Sequence, residues 1–137
     1  LLGLPCENLE DIQIGNYQTG QFYGYHTDSF DTKGYSYHRK LGFHQRLFTV
    51  MIYLNKPLKG GNTRFKYLDI SIKPEVGKLL VFSNVIKGTN KINEKSIHSG
   101  LPVEEGEKWI MTFWFNSFTL KKKLKKILKF HKFMKWF

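Results

Sequence analysis

His26 and Asp28 stand two residues apart, His98 follows far downstream, and Lys108 comes soon after it. The aromatic-rich run Phe22–His26, bounded by Gly20 and by Asp28-Ser29, predicts a strand. On a strand, positions two apart point to one face, so His26 and Asp28 would lie side by side. An imidazole and a carboxylate so placed can supply two ligands to one metal ion, and a hydrogen-bonded pair at a strand end is the plainer reading. His98, within Ser96-Ile97-His98-Ser99-Gly100, would complete a set of two imidazoles and one carboxylate. That set leaves three coordination positions open and suits non-haem Fe(II); zinc accepts the same donors. Lys108 opens the apolar run Trp109-Ile110-Met111-Thr112-Phe113-Trp114-Phe115. A cation entering a buried strand needs an anionic partner to offset desolvation, unless its stem merely carries the charge out to water. His38 and His44 fall in an unpatterned loop and His131 in a lysine-rich end, so they read as solvated. The single cysteine, Cys6, excludes an internal disulfide framework and a cysteine zinc cluster.

The elements that must position these groups read as mostly β. Ile12 and Ile14 alternate with polar neighbours, as one face of a strand does. Leu47-Phe48-Thr49-Val50-Met51-Ile52-Tyr53-Leu54 is a continuous apolar, β-branched run, the pattern of a strand buried on both faces. Pro57 and Gly60-Gly61 end it in a turn. Short strands are predicted at 69–72, 78–83 and 95–98, and a long one from Trp109 to Phe118. Residues 30–45 and 84–94 are polar loops, long enough to close over a substrate. Many short strands with Gly/Pro turns and almost no helix signal point to a sandwich, jelly roll or barrel.

The chain has 137 residues and a net charge of +11, enough for one core and too short for two comfortable domains. Eight of the lysines, from Lys121 to Lys135, lie in a C-terminal stretch with no acid, which leaves +3 for residues 1–120. A body so mildly basic argues against nucleic acid as its partner. From Leu120 the apolar residues Leu120, Leu124, Ile127, Leu128 and Met134 recur at helical spacing, predicting a basic amphipathic helix. Residues 1–118 therefore read as the domain and 119–137 as a tail. The tail reads as a solvated extension, or, with Phe130, Phe133, Trp136 and Phe137 among the lysines at 121–135, as a contact for an anionic membrane or an acidic partner. No apolar run approaches the roughly 18–20 residues of a membrane-spanning helix. Leu1-Leu2-Gly3-Leu4-Pro5 does not read as a signal peptide, and without an initiator Met the chain reads as a fragment.

Four ordered segments carry a resemblance. His26-Thr27-Asp28, His98 and Lys108 are similar to the signature of Fe(II)/2-oxoglutarate dioxygenases. Tyr17-Gln18-Thr19-Gly20-Gln21-Phe22-Tyr23-Gly24-Tyr25-His26-Thr27-Asp28 resembles the first metal-ligand segment of the prolyl 4-hydroxylase family. Arg46 to Asn55 and Gly60-Gly61-Asn62-Thr63-Arg64-Phe65 are similar to its central strand and following turn. His98-Ser99-Gly100-Leu101-Pro102-Val103 with Gly106-Glu107-Lys108-Trp109 resembles its second-ligand and co-substrate segment. The likeness covers about residues 1–116. Asn62 and Asn116 depart from it, standing where members often carry Glu and His. The family's N-terminal helices and first strand have no counterpart here, so the chain reads as an N-terminally truncated catalytic domain.

The resemblance implies a double-stranded β-helix (jelly roll) that hydroxylates peptidyl proline at C4 with O2, releasing succinate and CO2. It implies His26, Asp28 and His98 as ligands to Fe(II), and Lys108 as partner of the distal carboxylate of the co-substrate 2-oxoglutarate. Tyr17, Thr63 and Trp114 would line the co-substrate pocket, Tyr23 and Arg46 would lie near a proline-rich peptide or protein substrate, and ascorbate would be a further cofactor. Core packing is the alternative for the aromatic residues, and a turn role for Thr63. An oxygenase acting on another side chain or a small molecule, or a non-catalytic jelly-roll binding module, are the other functions compatible with these residues.

Overall fold

The computed structural model describes residues 3, 6–31 and 44–117. Ten strands run through them: β1 (Gln13–Gln18), β2 (Tyr23–His26), β3 (Arg46–Tyr53), β4 (Lys59–Gly60), β5 (Thr63–Phe65), β6 (Ile70–Ile72), β7 (Leu79–Ser83), β8 (His98–Gly100), β9 (Val103–Glu105) and β10 (Glu107–Asn116). All pairings are antiparallel. A major sheet has the order β1-β10-β3-β7, a minor sheet the order β2-β8-β5-β6, and β4 pairs with β9. The two four-stranded sheets face each other across a cavity of about 610 Å³ lined by residues of both. This is the expected double-stranded β-helix.

Strand alternation decides what enters the space between the sheets. In β10, Lys108, Ile110, Thr112 and Trp114 line the cavity, whereas Met111, Phe113 and Phe115 face away. In β3 the inward residues Thr49, Met51 and Tyr53 are buried, and the outward Phe48, Val50 and Ile52 are half-buried. The continuous apolar run at 47–54 is thus buried fully on one face only, contrary to the sequence expectation. In β1, Ile14 pairs with Met111 and shares its outward face, where it is exposed. Gly15 and Tyr17 are the residues that β1 aligns with Ile110 and Lys108.

Several boundaries differ from the sequence reading. Residues 94–96 form a 3-10 turn, because the Asn93 side chain accepts from Lys95 N and Ser96 Oγ donates to Asn93 O; the strand begins only at His98. Segment 84–94 is a closed hairpin rather than an open loop. Val85 bridges Ile92, Ile86 N donates to Lys91 O at 3.0 Å, and Asn93 N donates to Asn84 O at 2.9 Å. Strands β4, β5 and β9 have two or three residues each, too few to show a period in sequence. β10 starts at Glu107 and ends at Asn116, so Lys108 lies within the strand. Most of loop 30–45 and all of the tail 119–137 lie outside the described residues.

Gly60 holds the junction of β4, β5 and β9. Its φ is +75°, and a Cβ there would sit 2.5 Å from Pro102 O and 2.8 Å from Glu104 N. Gly20 has a similar φ of +85° with nothing within 4 Å of a Cβ. Gly60→Ala should destabilise the fold by more than about 2 kcal/mol, since backbone must move as well as adopt a disfavoured conformation. Gly20→Ala should cost only the conformational part. Equal losses in thermal melts of the two variants would contradict this account of the junction.

Candidate metal and anion site

The β2–β8 ladder pairs His26 directly with His98, and their rings lie 4.3 Å apart between centroids. Asp28 is not on the strand as the spacing suggested. It sits in the bend after β2, where Ser29 N donates to Thr27 Oγ1 at 3.3 Å, and its Oδ1 comes to 3.4 Å from His26 Nε2. The three donor atoms all lie within 4.8 Å of one another.

Each imidazole is oriented from behind. His26 Nδ1–H donates to Gly24 O and His98 Nδ1–H to Ser96 O, both at 2.9 Å. A carbonyl can only accept, so both tautomers are set with Nε2 free of a proton, the form in which imidazole binds metal. Burial opposes the charged form of His98 and lowers its pKa, with the Asp28 charge acting in the other direction. Burial works against the Asp28 carboxylate too. Its polar neighbours, the His26 and His98 imidazoles and the Thr49 hydroxyl, outweigh it and hold the pKa at about 2. The Trp114 indole N–H helps in the same direction, although no partner meets it at hydrogen-bond geometry among the described residues. Two bare Nε2 atoms and one anionic oxygen form a fitting donor set for Fe(II).

Lys108 lines the same cavity, 2% exposed. Among the described residues no carboxylate pairs with it. Its Nζ lies 5.4 Å from the Tyr17 ring centroid and 5.6 Å from that of Tyr53, and the stem passes so close to Gly61 that a Cβ there would be 3.3 Å from Lys108 Cδ. Burial pulls its pKa down to about 8. A desolvated ammonium with aromatic faces around it and no anion among the described residues has the chemistry to accept one. Tyr53, fully buried, donates its hydroxyl to Thr63 Oγ1 at 2.7 Å, and Thr63 lines the cavity together with Tyr17.

The remaining expected residues also border the cavity. Tyr23 is half exposed and meets the His26 ring edge-on at 4.3 Å. Arg46 is already engaged: it makes two hydrogen bonds to the Glu10 carboxylate, at 2.9 and 2.8 Å, and its guanidinium lies 3.7 Å from the Trp114 ring centroid. Its charge is therefore matched within the fold. Sequence reasoning missed Thr49, Tyr53, Asn84 and Gln45, all fully buried. Gln45 exchanges two hydrogen bonds of 2.8 Å with the backbone of Phe30 and donates to Asn90 O, pinning the segment after Asp28 to the 84–94 hairpin. Thr49 carried a signal, as a hydroxyl inside an apolar run. Gln45 carried none, being one polar residue in a polar loop.

Two antiparallel sheets enclosing a His-Asp-His set beside a buried lysine define a double-stranded β-helix with a mononuclear metal site. A sequence model of the 2OG-Fe(II) oxygenase superfamily matches residues 12–116. A protein of Acanthamoeba polyphaga mimivirus, provisionally assigned as a prolyl 4-hydroxylase, is 40% identical over 114 residues, covering 82% of this chain and 47% of its own length. Prolyl 4-hydroxylase 2 of Arabidopsis thaliana is 34% identical over 134 residues, covering 82% and 43%. Among solved structures, the viral collagen prolyl hydroxylase of Paramecium Bursaria Chlorella virus-1, in complex with 2OG, superposes with a TM-score of 0.72 at 35% identity, covering 82% of this chain and 61% of that one. The chain belongs to the 2OG-Fe(II) oxygenase superfamily. It spans less than half the length of the two curated relatives. The lysine-rich tail lies outside the described residues, and the relatives lend no support to an anionic membrane or acidic partner for it.

The strain at Lys108 has a measurable sign. In the unfolded chain its amine titrates near 10.5, in the fold near 8. Between those values the unfolded chain binds more protons, so stability without ligand should rise as pH increases from about 8 to about 10.5. Lys108→Met should abolish that rise and, at pH 7, stabilise the protein by on the order of 3 kcal/mol. Denaturant titrations at pH 7 and pH 10 check both; a destabilised Lys108→Met would mean that the ammonium is compensated in the fold.

Proposed function

We propose that this chain carries the catalytic site of a prolyl 4-hydroxylase, acting on proline in a peptide or protein with Fe(II), O2 and 2-oxoglutarate. The observation that carries the reading is the pairing, in one cavity, of a complete His26-Asp28-His98 donor set with an ammonium that has no carboxylate partner among the described residues. His26 Nε2, His98 Nε2 and Asp28 Oδ1 would hold the Fe(II). Bound Fe(II) with 2-oxoglutarate and O2 supplies the oxidising power for C–H hydroxylation, with succinate and CO2 as co-products and ascorbate as a supporting reductant.

The chain's own residues bind, orient and exclude water. Lys108 takes the distal carboxylate of 2-oxoglutarate, and that anion offsets the burial of the ammonium. The Tyr53–Thr63 hydrogen bond joins the two sheets and holds the Thr63 hydroxyl at the cavity, with Tyr17 paired to Lys108 in the β1–β10 register. The faces of Tyr17 and Tyr53 leave the ammonium little access to water. Tyr23 and the Arg46–Trp114 stack offer an exposed aromatic edge and a fixed planar surface to the substrate. A proline-rich segment suits such walls because its polyproline II form is extended before binding and loses little entropy. The 84–94 hairpin, tied to Phe30 through Gln45, supports the segment that carries Asp28. The other loop, 30–45, retains the role of covering the peptide as an expectation from sequence.

Incubation with Fe(II), 2-oxoglutarate, ascorbate and a proline-rich peptide should yield succinate and 4-hydroxyproline in equal amounts. Succinate release with hydroxylation of another residue would redirect the reading within the superfamily. His26→Ala, Asp28→Ala and His98→Ala should each abolish turnover. Lys108→Ala should weaken 2-oxoglutarate binding about 10–100-fold, the loss of one charge-assisted contact. Because the free ammonium loses its proton near pH 8, 2-oxoglutarate affinity in wild-type protein should fall as pH rises from 7 to 9.5. Calorimetry showing a flat affinity over that range would remove Lys108 from its assigned role.

A further inference from the structure

Thr49 and Asn84 belong to no ligand set, yet both are fully buried beside it. Thr49 Oγ1 donates to Asp28 Oδ2 at 2.5 Å and accepts from Asn84 Nδ2 at 2.8 Å. A hydroxyl has one proton, and an ionised carboxylate can only accept. The Thr49 proton is therefore committed to Asp28, and Asn84 must present its amide N–H to Thr49 rather than its carbonyl. The series runs one way, from Asn84 through Thr49 to Asp28.

That orientation leaves a trace. Asn84 Oδ1 is buried with no hydrogen-bond partner among the described residues, a cost that an apolar residue of similar size would not incur. The backbone on which the side chain is mounted is tied on three sides. Asn84 N donates to Leu47 O in β3 at 2.8 Å. Asn84 O accepts from Ser29 Oγ, one residue after Asp28, at 3.1 Å, and from Asn93 N at 2.9 Å. The hairpin, β3 and the bend carrying the carboxylate thus converge on one asparagine, whose amide is aimed at one hydroxyl.

We propose that Asn84 and Thr49 are positioning residues for the metal-binding carboxylate: they occupy Asp28 Oδ2, so that Asp28 presents only Oδ1 beside His26 and His98. Without the relay the carboxylate is free to rotate or to offer both oxygens, and the donor set loses its preorganisation. The inference rests on the metal reading of the site given above, but not on the identity of the substrate.

Titration of the whole chain with Co(II), a spectroscopic stand-in for Fe(II), tests it without turnover. Thr49→Val removes the hydroxyl at nearly constant shape, Thr49→Ser retains it, and Asn84→Leu removes the amide donor. Thr49→Val should weaken Co(II) binding roughly 10–100-fold and alter the visible absorption of the bound ion. Thr49→Ser should restore both, and Asn84→Leu should reproduce the Thr49→Val change in part. Thermal melts identify any variant that does not fold; should Thr49→Val be one, Asn84→Leu carries the test. Wild-type affinity and an unchanged spectrum in the folded variants would overturn this inference alone. Wild-type protein that binds no Co(II) would overturn both it and the metal reading, whereas intact Co(II) binding without proline hydroxylation would count only against the proposed function.

Discussion

The cavity between the two sheets holds a carboxylate and an ammonium that do not neutralise each other. Asp28 and Lys108 are both buried and both line it, and no ion pair joins them. Opposite charges withdrawn from water attract strongly enough that a collapsing chain would bring them together if it could. They are kept apart because they arrive on different sheets, Lys108 on the second position of β10 and Asp28 on the bend after β2. Each stays fixed by rigid neighbours. The separation is what leaves room for something that satisfies both, a cation at one end and an anion at the other.

The two charges are treated very differently. Asp28 has polar neighbours, the Thr49 hydroxyl and the two imidazoles, that outweigh the penalty of burial, so its ionised form costs the fold little. Among the described residues Lys108 has only the faces of Tyr17 and Tyr53, and burial lowers its pKa to about 8. The stabilised end is the one that must already be anionic when a metal arrives. The unstabilised end gains most from an incoming anion, so the energy stored there becomes binding energy for whichever anion fits. A free site that is mildly unstable and a loaded one that is not are two aspects of one arrangement.

Much of this was legible from residue types. Gly/Pro turns, β-branched runs and short strands indicated a mainly β sandwich, jelly roll or barrel, and the ordered segments around His26, His98 and Lys108 marked the site. Strand alternation was less informative than expected. Ile12 and Ile14 marked a strand, but Ile14 lies on the outward face, and the cavity side of β1 is Gly15 and Tyr17. The His26–Asp28 spacing suggested two ligands on one strand face, whereas the structure delivers Asp28 from a bend. Strands of two or three residues, such as β4 and β9, leave no periodic trace at all.

What the sequence determined by itself was the inventory: which side chains can bind a metal, which cation would be costly to bury, and which turns must be glycine. These are properties of residue types and local geometry, and they survive without knowledge of the partners. Only the tertiary structure decided how the inventory is wired. That Nε2 and not Nδ1 is bare on both histidines follows from carbonyls at Gly24 and Ser96. That one oxygen of Asp28 is taken follows from Thr49, on a strand remote in sequence, and from Asn84 behind it. That Arg46 is spent on Glu10 while Lys108 meets no acid among the described residues depends on which acids reach which cations. Hydrogen bonds and desolvation act through space over a few ångströms, and the residues brought that close here come from every part of the described chain.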